Sequence, residues 1–254
     1  MKVRVLGCSG GVGSGMRTTS FLVDSDILLD AGTGVYDLTV AELAEIDHVF
    51  LTHSHLDHIA ALPLLVDSVG SLRQRPVVVH ALPETIAALR THIFNWVIWP
   101  DFTEIPHYDR PWMEFAPLAI DSVVEIAGRS VRSLPASHTV PALAFQVFTE
   151  DAALVFSGDT GPNDDFWRAV NGMDNLRYLI VETAFANRER DLAVAAKHLF
   201  PIQLGEELAK LQREPEVLIT HLKPSDRELI ASEVGAWAGH HSPRVLVQGE
   251  VLEL

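Results

Sequence analysis

His53-Ser54-His55-Leu56-Asp57-His58 is the stretch that decides the reading of this 254-residue chain. Directly before it, residues 48–51 read as a short apolar strand, so the cluster sits where a strand ends and the chain turns. The first two histidines alternate as in extended backbone and point the same way, while Asp57 and His58 lie on the next turn. A loop built like this offers three imidazoles and a carboxylate to two neighbouring cations. The chain has twelve histidines, and the pattern arises by chance in about 2 of 1,000 sequences of such composition. The plainer alternative is a polar helix-capping turn with Asp57 near a helix start.

The flanking pattern is β-led. Residues 2–6 read as a strand and 7–15 as a glycine-rich loop. Strands 20–23 and 27–30 follow, turning at Asp24-Ser25-Asp26. After the cluster come a helix at 59–72, a strand at 76–80 and a helix at 83–92, with Pro83 near a first turn where its missing N–H costs little. Residues 122–156 are hairpin-like, with turns at Gly128-Arg129 and Glu150-Asp151. They open a second series: helix 164–170, strand 178–181, helix 202–211, strand 217–219, helix 226–237 and strand 244–247. Two β-led halves carrying outer helices predict an α/β fold, a four-layer αββα sandwich with two facing sheets. The length fits a single domain, 1–254. Residues 95–117 hold Trp96, Trp99, Phe102, Tyr108, Trp112 and Phe115 among prolines with no clear period, and read as an ordered insertion or lid. Its aromatic side chains suit either stacking on a nucleobase or a contact in a homodimer.

Composition narrows the chemistry. Cys8 is the only cysteine, which rules out an internal disulfide or a thiolate metal cage within one chain, so any metal must be held by His, Asp or Glu. The net charge of −15 repels polyanions, and no Lys/Arg block offsets it, so long nucleic acid is disfavoured as a partner. Bound divalent cations reverse the field locally, which keeps a small phosphodiester admissible as substrate. No apolar run reaches membrane-spanning length, and the apolar stretch after Lys2 and Arg4 is too short for a signal peptide. The expectation is a cytoplasmic protein without membrane contact.

One loop cannot complete two coordination shells, so further ligands are expected at strand ends in the second half. His138 ends a hairpin strand, Asp159 follows the apolar run 154–156, and His221 follows 217–219. Singly, each reads as an ordinary loop residue; in this order after the first cluster, they read as the rest of a ligand set. His48, His80, His92, His107, His240 and His241 have no such spacing and read as structural or exposed. The loop Gly10-Gly11-Val12-Gly13-Ser14-Gly15 lacks the helix and lysine of a phosphate cradle. It fits a close-approach turn bordering the metal site.

With these residues in place, the sequence resembles the metallo-β-lactamase fold superfamily over nearly its whole length. Within it, the chain is most similar to the class II 3′,5′-cyclic-nucleotide phosphodiesterases. The resemblance rests on the His53–Ile59 segment, Ser157-Gly158-Asp159-Thr160-Gly161-Pro162, Val181-Glu182-Thr183, His198-Leu199-Phe200-Pro201 and His221-Leu222-Lys223-Pro224. Ala61 stands where that family usually has glycine, and Phe200 where it has threonine. The resemblance implies that His53, His55 and His138 hold one ion, that Asp57, His58 and His221 hold a second, and that Asp159 bridges them. Such ligation suits Zn²⁺, with Mn²⁺ or Fe²⁺ as alternatives. It further implies a metal-bridging hydroxide attacking the phosphorus of a cyclic-AMP-like substrate to give a 5′-nucleotide.

Asp57, His198 and Glu182 are the catalytic candidates. His198 lies off the ligand pattern and precedes a helix beginning near Pro201, and the related tRNA 3′-processing nucleases place a histidine comparably. It reads as proton donor to the leaving oxygen, against the alternative of a capping or surface histidine. Glu182, at a strand end, is either its orienting partner or simply a satisfied carboxylate. Three other functions share these features: a tRNA 3′-processing endonuclease, for which a basic surface is missing; a lactone, thioester or β-lactam hydrolase, since fold does not fix substrate; and a catalytically silent metal-binding scaffold, against which the complete ligand set argues.

Overall fold

The computed structural model describes residues 1–237 and 239–254, and for His240 the backbone alone. His240, expected to take no part in ligation, thus has its side chain outside the described residues. The chain divides into two compact units. The first comprises Met1–Gly7, Arg17–Leu118 and Gln248–Glu253; the second comprises Cys8–Met16, Ala119–Val247 and Leu254.

In the first unit, β1 (Lys2–Gly7), β2 (Ser20–Val23), β3 (Ile27–Leu29), β4 (His48–Phe50) and β5 (Val77–Ala81) form the body of a seven-stranded sheet. A two-stranded ribbon, β6 (Pro106–His107) and β7 (Arg110–Pro111), precedes the edge strand β8 (Met113–Pro117). On the opposite edge, Val251–Glu253 pairs antiparallel with β1. β1, β2 and β3 are joined antiparallel, whereas β3, β4, β5 and β8 run parallel. Helix α1 (Val40–Glu45) starts on a reciprocal capping box between Thr39 and Glu42. It is followed by α2 (Leu56–Ile59), α3 (Leu62–Val69) and α4 (Pro83–His92). Leu28, Val49, Leu51, Leu62, Val66, Val79 and Leu89 belong to the continuous apolar core of this unit.

The second unit repeats the plan. β9 (Val123–Ile126), β10 (Arg129–Pro135), β11 (Leu143–Phe148) and β12 (Ala153–Phe156) are joined antiparallel. From β12 the sheet continues parallel through β13 (Leu176–Glu182), β14 (Glu216–Thr220) and β15 (Arg244–Val245). Helices α5 (Asp164–Asn171), α6 (Arg190–Ala196), α7 (Pro201–Leu208) and α8 (Arg227–Trp237) lie along this half of the chain. Phe166, Trp167, Leu204, Leu208, Ile230 and Val234 from α5, α7 and α8 share a core with Val155, Leu179 and Ile219. Both units therefore show the expected α/β character, with three antiparallel pairings followed by three parallel ones. Parallel strands end together, and their carboxyl ends are where side chains for chemistry collect.

Three local expectations change. The helix expected at 59–72 breaks after α2 because Ala61 N–H turns out of the helix to donate to Ala31 O at 2.8 Å, and Pro63 has no N–H to continue the ladder. Residues 95–117 are only partly peripheral: Phe102 and Met113 are buried in the first core, and β8 pairs along β5. Of its large apolar and aromatic side chains, Trp96, Val97 and Ile98 at the tip and Tyr108 stand well exposed. The strand expected at 244–247 stops at Val245, and the strand after it, Val251–Glu253, belongs to the other sheet.

Candidate functional site

In the first unit, the ligand loop hangs from the ends of β3 and β4. Asp30, directly after β3, is fully buried and sits in left-handed backbone at φ 54°. Its carboxylate accepts from Thr52 N at 2.8 Å, from Thr52 Oγ1 at 2.9 Å and from His58 Nδ1 at 2.7 Å. Because the Thr52 hydroxyl is spent on Asp30, its lone pair accepts from His53 Nδ1 at 3.0 Å. One carboxylate thus sets the tautomer of both His53 and His58, directing Nε2 of each to any ligand. Burial pushes the Asp30 carboxyl up, against the pull of His58 and Thr52. His53 packs against His55 and His58, with ring centroids 4.6 and 4.3 Å apart, and His58 Nε2 is 3.9 Å from Asp57 Oδ2. His55 is the residue before α2, and Asp57 lies in that helix's first turn. The two are therefore brought together with His53 and His58 as the spacing predicts.

In the second unit, His138, Asp159, His198 and His221 converge. His138 Nδ1 donates to Lys197 O at 3.1 Å, and Lys197 Nζ returns a bond to His138 O at 2.9 Å. Lys197 holds this two-way clamp in left-handed backbone, φ 51°, at the end of α6. Asp159, after β12, places Oδ2 4.0 Å from His138 Nε2 and Oδ1 3.4 Å from His221 Nδ1. His221, at φ 68° after β14, is anchored through its N–H to Cys8 O at 2.9 Å. The glycine loop closes over this residue: a Cβ on Gly10 would lie 2.3 Å from His221 O. That is the close approach expected of the loop, and no side chain fits there.

His198 is neither a cap nor a surface residue. Phe200 precedes α7 in the capping position, whereas His198 is 7% exposed and its Nδ1 donates to Glu182 Oε1 at 2.8 Å. Thr160 N fixes the same carboxylate oxygen at 3.1 Å. Burial disfavours the charged His198, but Glu182 and Asp159 outweigh it and raise its pKa. Burial raises the Glu182 pKa, against the pull of His198. The His198 ring lies 4.9 Å from that of His138 and stacks on His221 at 5.3 Å.

The residues present fit divalent metal. The donors are imidazoles and carboxylates, and His53, His58, His138 and His198 each have Nδ1 engaged by an oxygen, the outer-shell arrangement typical of metal-ligating histidine. Cys8 directs its thiol to Leu246 O at 3.6 Å, away from this chemistry. Sequence reasoning missed Asp30, Thr52 and Lys197 as supports. For Asp30 a signal existed, since it follows an apolar strand run as Asp159 follows 154–156. His48 and His80, set aside as non-ligands, pair with each other at 3.0 Å.

A family described as the beta-lactamase superfamily domain matches residues 25–222, a span that holds every residue of both clusters, and the chain belongs to it. It is a metal-dependent hydrolase of the metallo-β-lactamase superfamily. A probable 3′,5′-cyclic-nucleotide phosphodiesterase of Yersinia pestis is 27% identical, across 92% of this chain and 83% of that protein. The 3′,5′-cyclic-nucleotide phosphodiesterase of Aliivibrio fischeri is 26% identical, across 98% of this chain and 86% of its own. Unliganded yeast PDE1 superposes with a TM-score of 0.81 at 20% identity, over 100% of this chain and 99% of that one, which shows the shared fold.

Proposed function

We propose that the protein is a binuclear phosphodiesterase that converts a 3′,5′-cyclic nucleotide of the cyclic-AMP kind to its 5′-nucleotide, with its two units acting as one catalytic domain. His53, His55 and His138 would hold one ion and Asp57, His58 and His221 the other, with Asp159 shared; Zn²⁺ suits this set best, Mn²⁺ or Fe²⁺ less well. When bound, the ions supply Lewis acidity toward the phosphoryl oxygens and a water of lowered pKa. The chain's own residues do the rest. Asp30 and Thr52 orient His53 and His58, and Lys197 orients His138. His198, as imidazolium, carries its second proton on Nε2 for the departing ribose oxygen, while Glu182 accepts from Nδ1, orients the ring and balances its charge.

The observation that carries this reading is the buried His198–Glu182 pair beside Asp159 and His221. A scaffold that merely stored metal has no use for an oriented proton donor. The choice of a cyclic nucleotide is supported by the two phosphodiesterase relatives, which match nearly the whole chain. The same reading makes the enzyme a cytoplasmic homodimer, with the exposed Trp96–Ile98 tip as a subunit contact; no described helix is long and apolar enough to cross a membrane.

Metal-loaded protein should hydrolyse cyclic AMP and bis(p-nitrophenyl) phosphate, leave a pre-tRNA and a lactone untouched, and lose activity as Asp57→Ala. His198→Ala should cost about 10²–10⁴-fold in kcat on cyclic AMP, and far less on the nitrophenyl ester, whose leaving group needs no proton. Turnover of the lactone alone would overturn the assignment.

A further inference from the structure

Lys2, Lys197, Lys210 and Lys223 are the lysines of this chain, set against 34 aspartates and glutamates. Lys2 pairs with Glu253, and Lys210 with Asp164 and Glu207. Lys197 and Lys223 meet no carboxylate among the described residues, and each donates to a backbone carbonyl instead: Lys197 Nζ to His138 O at 2.9 Å, Lys223 Nζ to Gly10 O at 2.6 Å. Lys197 is exposed, whereas Lys223 is half-buried. Its backbone N–H donates to Ala184 O at 3.0 Å, and its ammonium stands 5.8 Å from the centre of the Phe185 ring. That ring is in turn 5.6 Å from the ring of His198. Lys223 is thus fixed between the glycine loop and the aromatic wall of the candidate site.

A half-buried cation without a counter-charge is costly unless an anion joins it. An ammonium has three donors, and Gly10 O takes one. The loop of residues 10–15 was read as lacking the lysine of a phosphate cradle; the fold supplies that lysine from 213 positions away. The loop lies against the segment that carries it, since a Cβ on Gly11 would be 3.1 Å from Pro224 Cδ, and Gly13, Ser14 and Gly15 are exposed, so their backbone is open to a ligand. We propose that Lys223 and the glycine loop form an anion subsite that takes the phosphoryl group of a mononucleotide. The subsite deepens the phosphodiesterase reading and rests on it for the nucleotide, though not for the phosphate. A phosphodiester carries one negative charge, whereas a 5′-nucleotide carries about 1.5 to 2 near pH 7. Lys223 therefore holds product more firmly than substrate.

The test titrates the metal-loaded full chain with inorganic phosphate and with 5′-AMP by calorimetry, and measures KM for cyclic AMP alongside. Lys223→Gln removes the charge but retains a donor for Gly10 O. It should weaken phosphate and 5′-AMP about 10–100-fold, and raise KM for cyclic AMP by less. Lys223→Arg, which keeps the charge, should recover most of the loss. Lys2→Gln changes net charge by the same amount at an exposed position and should leave all three values as in wild type. Binding of phosphate to Lys223→Gln as to wild type would overturn the proposal, as would no phosphate binding by wild type or an equal loss in Lys2→Gln. A loss that Lys223→Arg does not recover would make Lys223 a pin for the loop alone, and would overturn it too. If wild type binds phosphate but neither binds 5′-AMP nor turns over cyclic AMP, the cyclic-nucleotide reading falls instead, and the phosphate comparison still decides the role of Lys223.

Discussion

Asp30 shows how much of the proposed metal site rests on a residue that stands behind its ligands. It is fully buried, takes a backbone conformation that favours glycine or asparagine, and binds three groups of the loop that follows β4. Replacing one carboxylate oxygen with an amide, as in Asp30→Asn, keeps the volume but leaves His58 Nδ1 and the Thr52 donors competing for a single acceptor. Zinc affinity should fall about 10–100-fold, measured by competition with a chromophoric chelator, while a far-ultraviolet spectrum like that of wild type shows the fold retained. Unchanged affinity would mean that His58 is oriented by its packing alone. The proposed ligands were legible because four stand in six positions and the others follow strand runs. For Asp30 the only signal was its place after an apolar strand run; its action on a residue 28 positions away is recorded by no local period.

At the scale of elements, legibility followed the strength of local signals. The helix at 83–92 appears with the bounds expected because Pro83 opens it and Thr85 and Leu89, one turn apart, are its buried residues. β8 was hidden among prolines and aromatic residues, and it becomes a strand only because β5 offers a free parallel edge. The β4–β5 pair also carries a titration. His80, on β5, is buried, stacks on Phe50 at 4.3 Å and meets His48 Nδ1 through Nε2 at 3.0 Å, while its own Nδ1 has no hydrogen-bond partner among the described residues. Burial, and then the charge of His48, push its pKa down to about 4. The unfolded chain titrates this group near 6.5. Between those values the unfolded state binds a proton that the native state refuses, so stability is full above pH 6.5 and falls as pH drops toward 4. The group's share is roughly 3 kcal/mol at most. His80→Phe, which keeps the stack on Phe50, should flatten that part of the urea-unfolding stability profile. Profiles that run parallel from pH 6.5 to 4 would show that His80 is protonated in the native state.

For the molecule as a whole, the repeated plan of three antiparallel and then three parallel pairings was legible as two β-led halves. Its split into units was not, because residues 8–16 and 248–253 each cross from the half they adjoin in sequence to the other. Charge is the property of the whole chain that bears most on substrate. At −15, the protein repels an approaching anion over a Debye length, about 10 Å at 0.1 M salt, and added salt screens that repulsion. Cations in the site attract the substrate only at close range. A small cyclic nucleotide carries a single phosphate, so few counterions are released when it binds. A nuclease gripping many phosphates behaves otherwise, and its affinity falls about 10³–10⁵-fold between about 50 and 200 mM salt when six to ten phosphates are contacted. For this protein, kcat/KM on cyclic AMP should stay level or rise across that range, measured at constant pH and constant free metal. A steep fall would place basic groups in contact with an extended phosphate chain, and would move the assignment from a small phosphodiester to RNA.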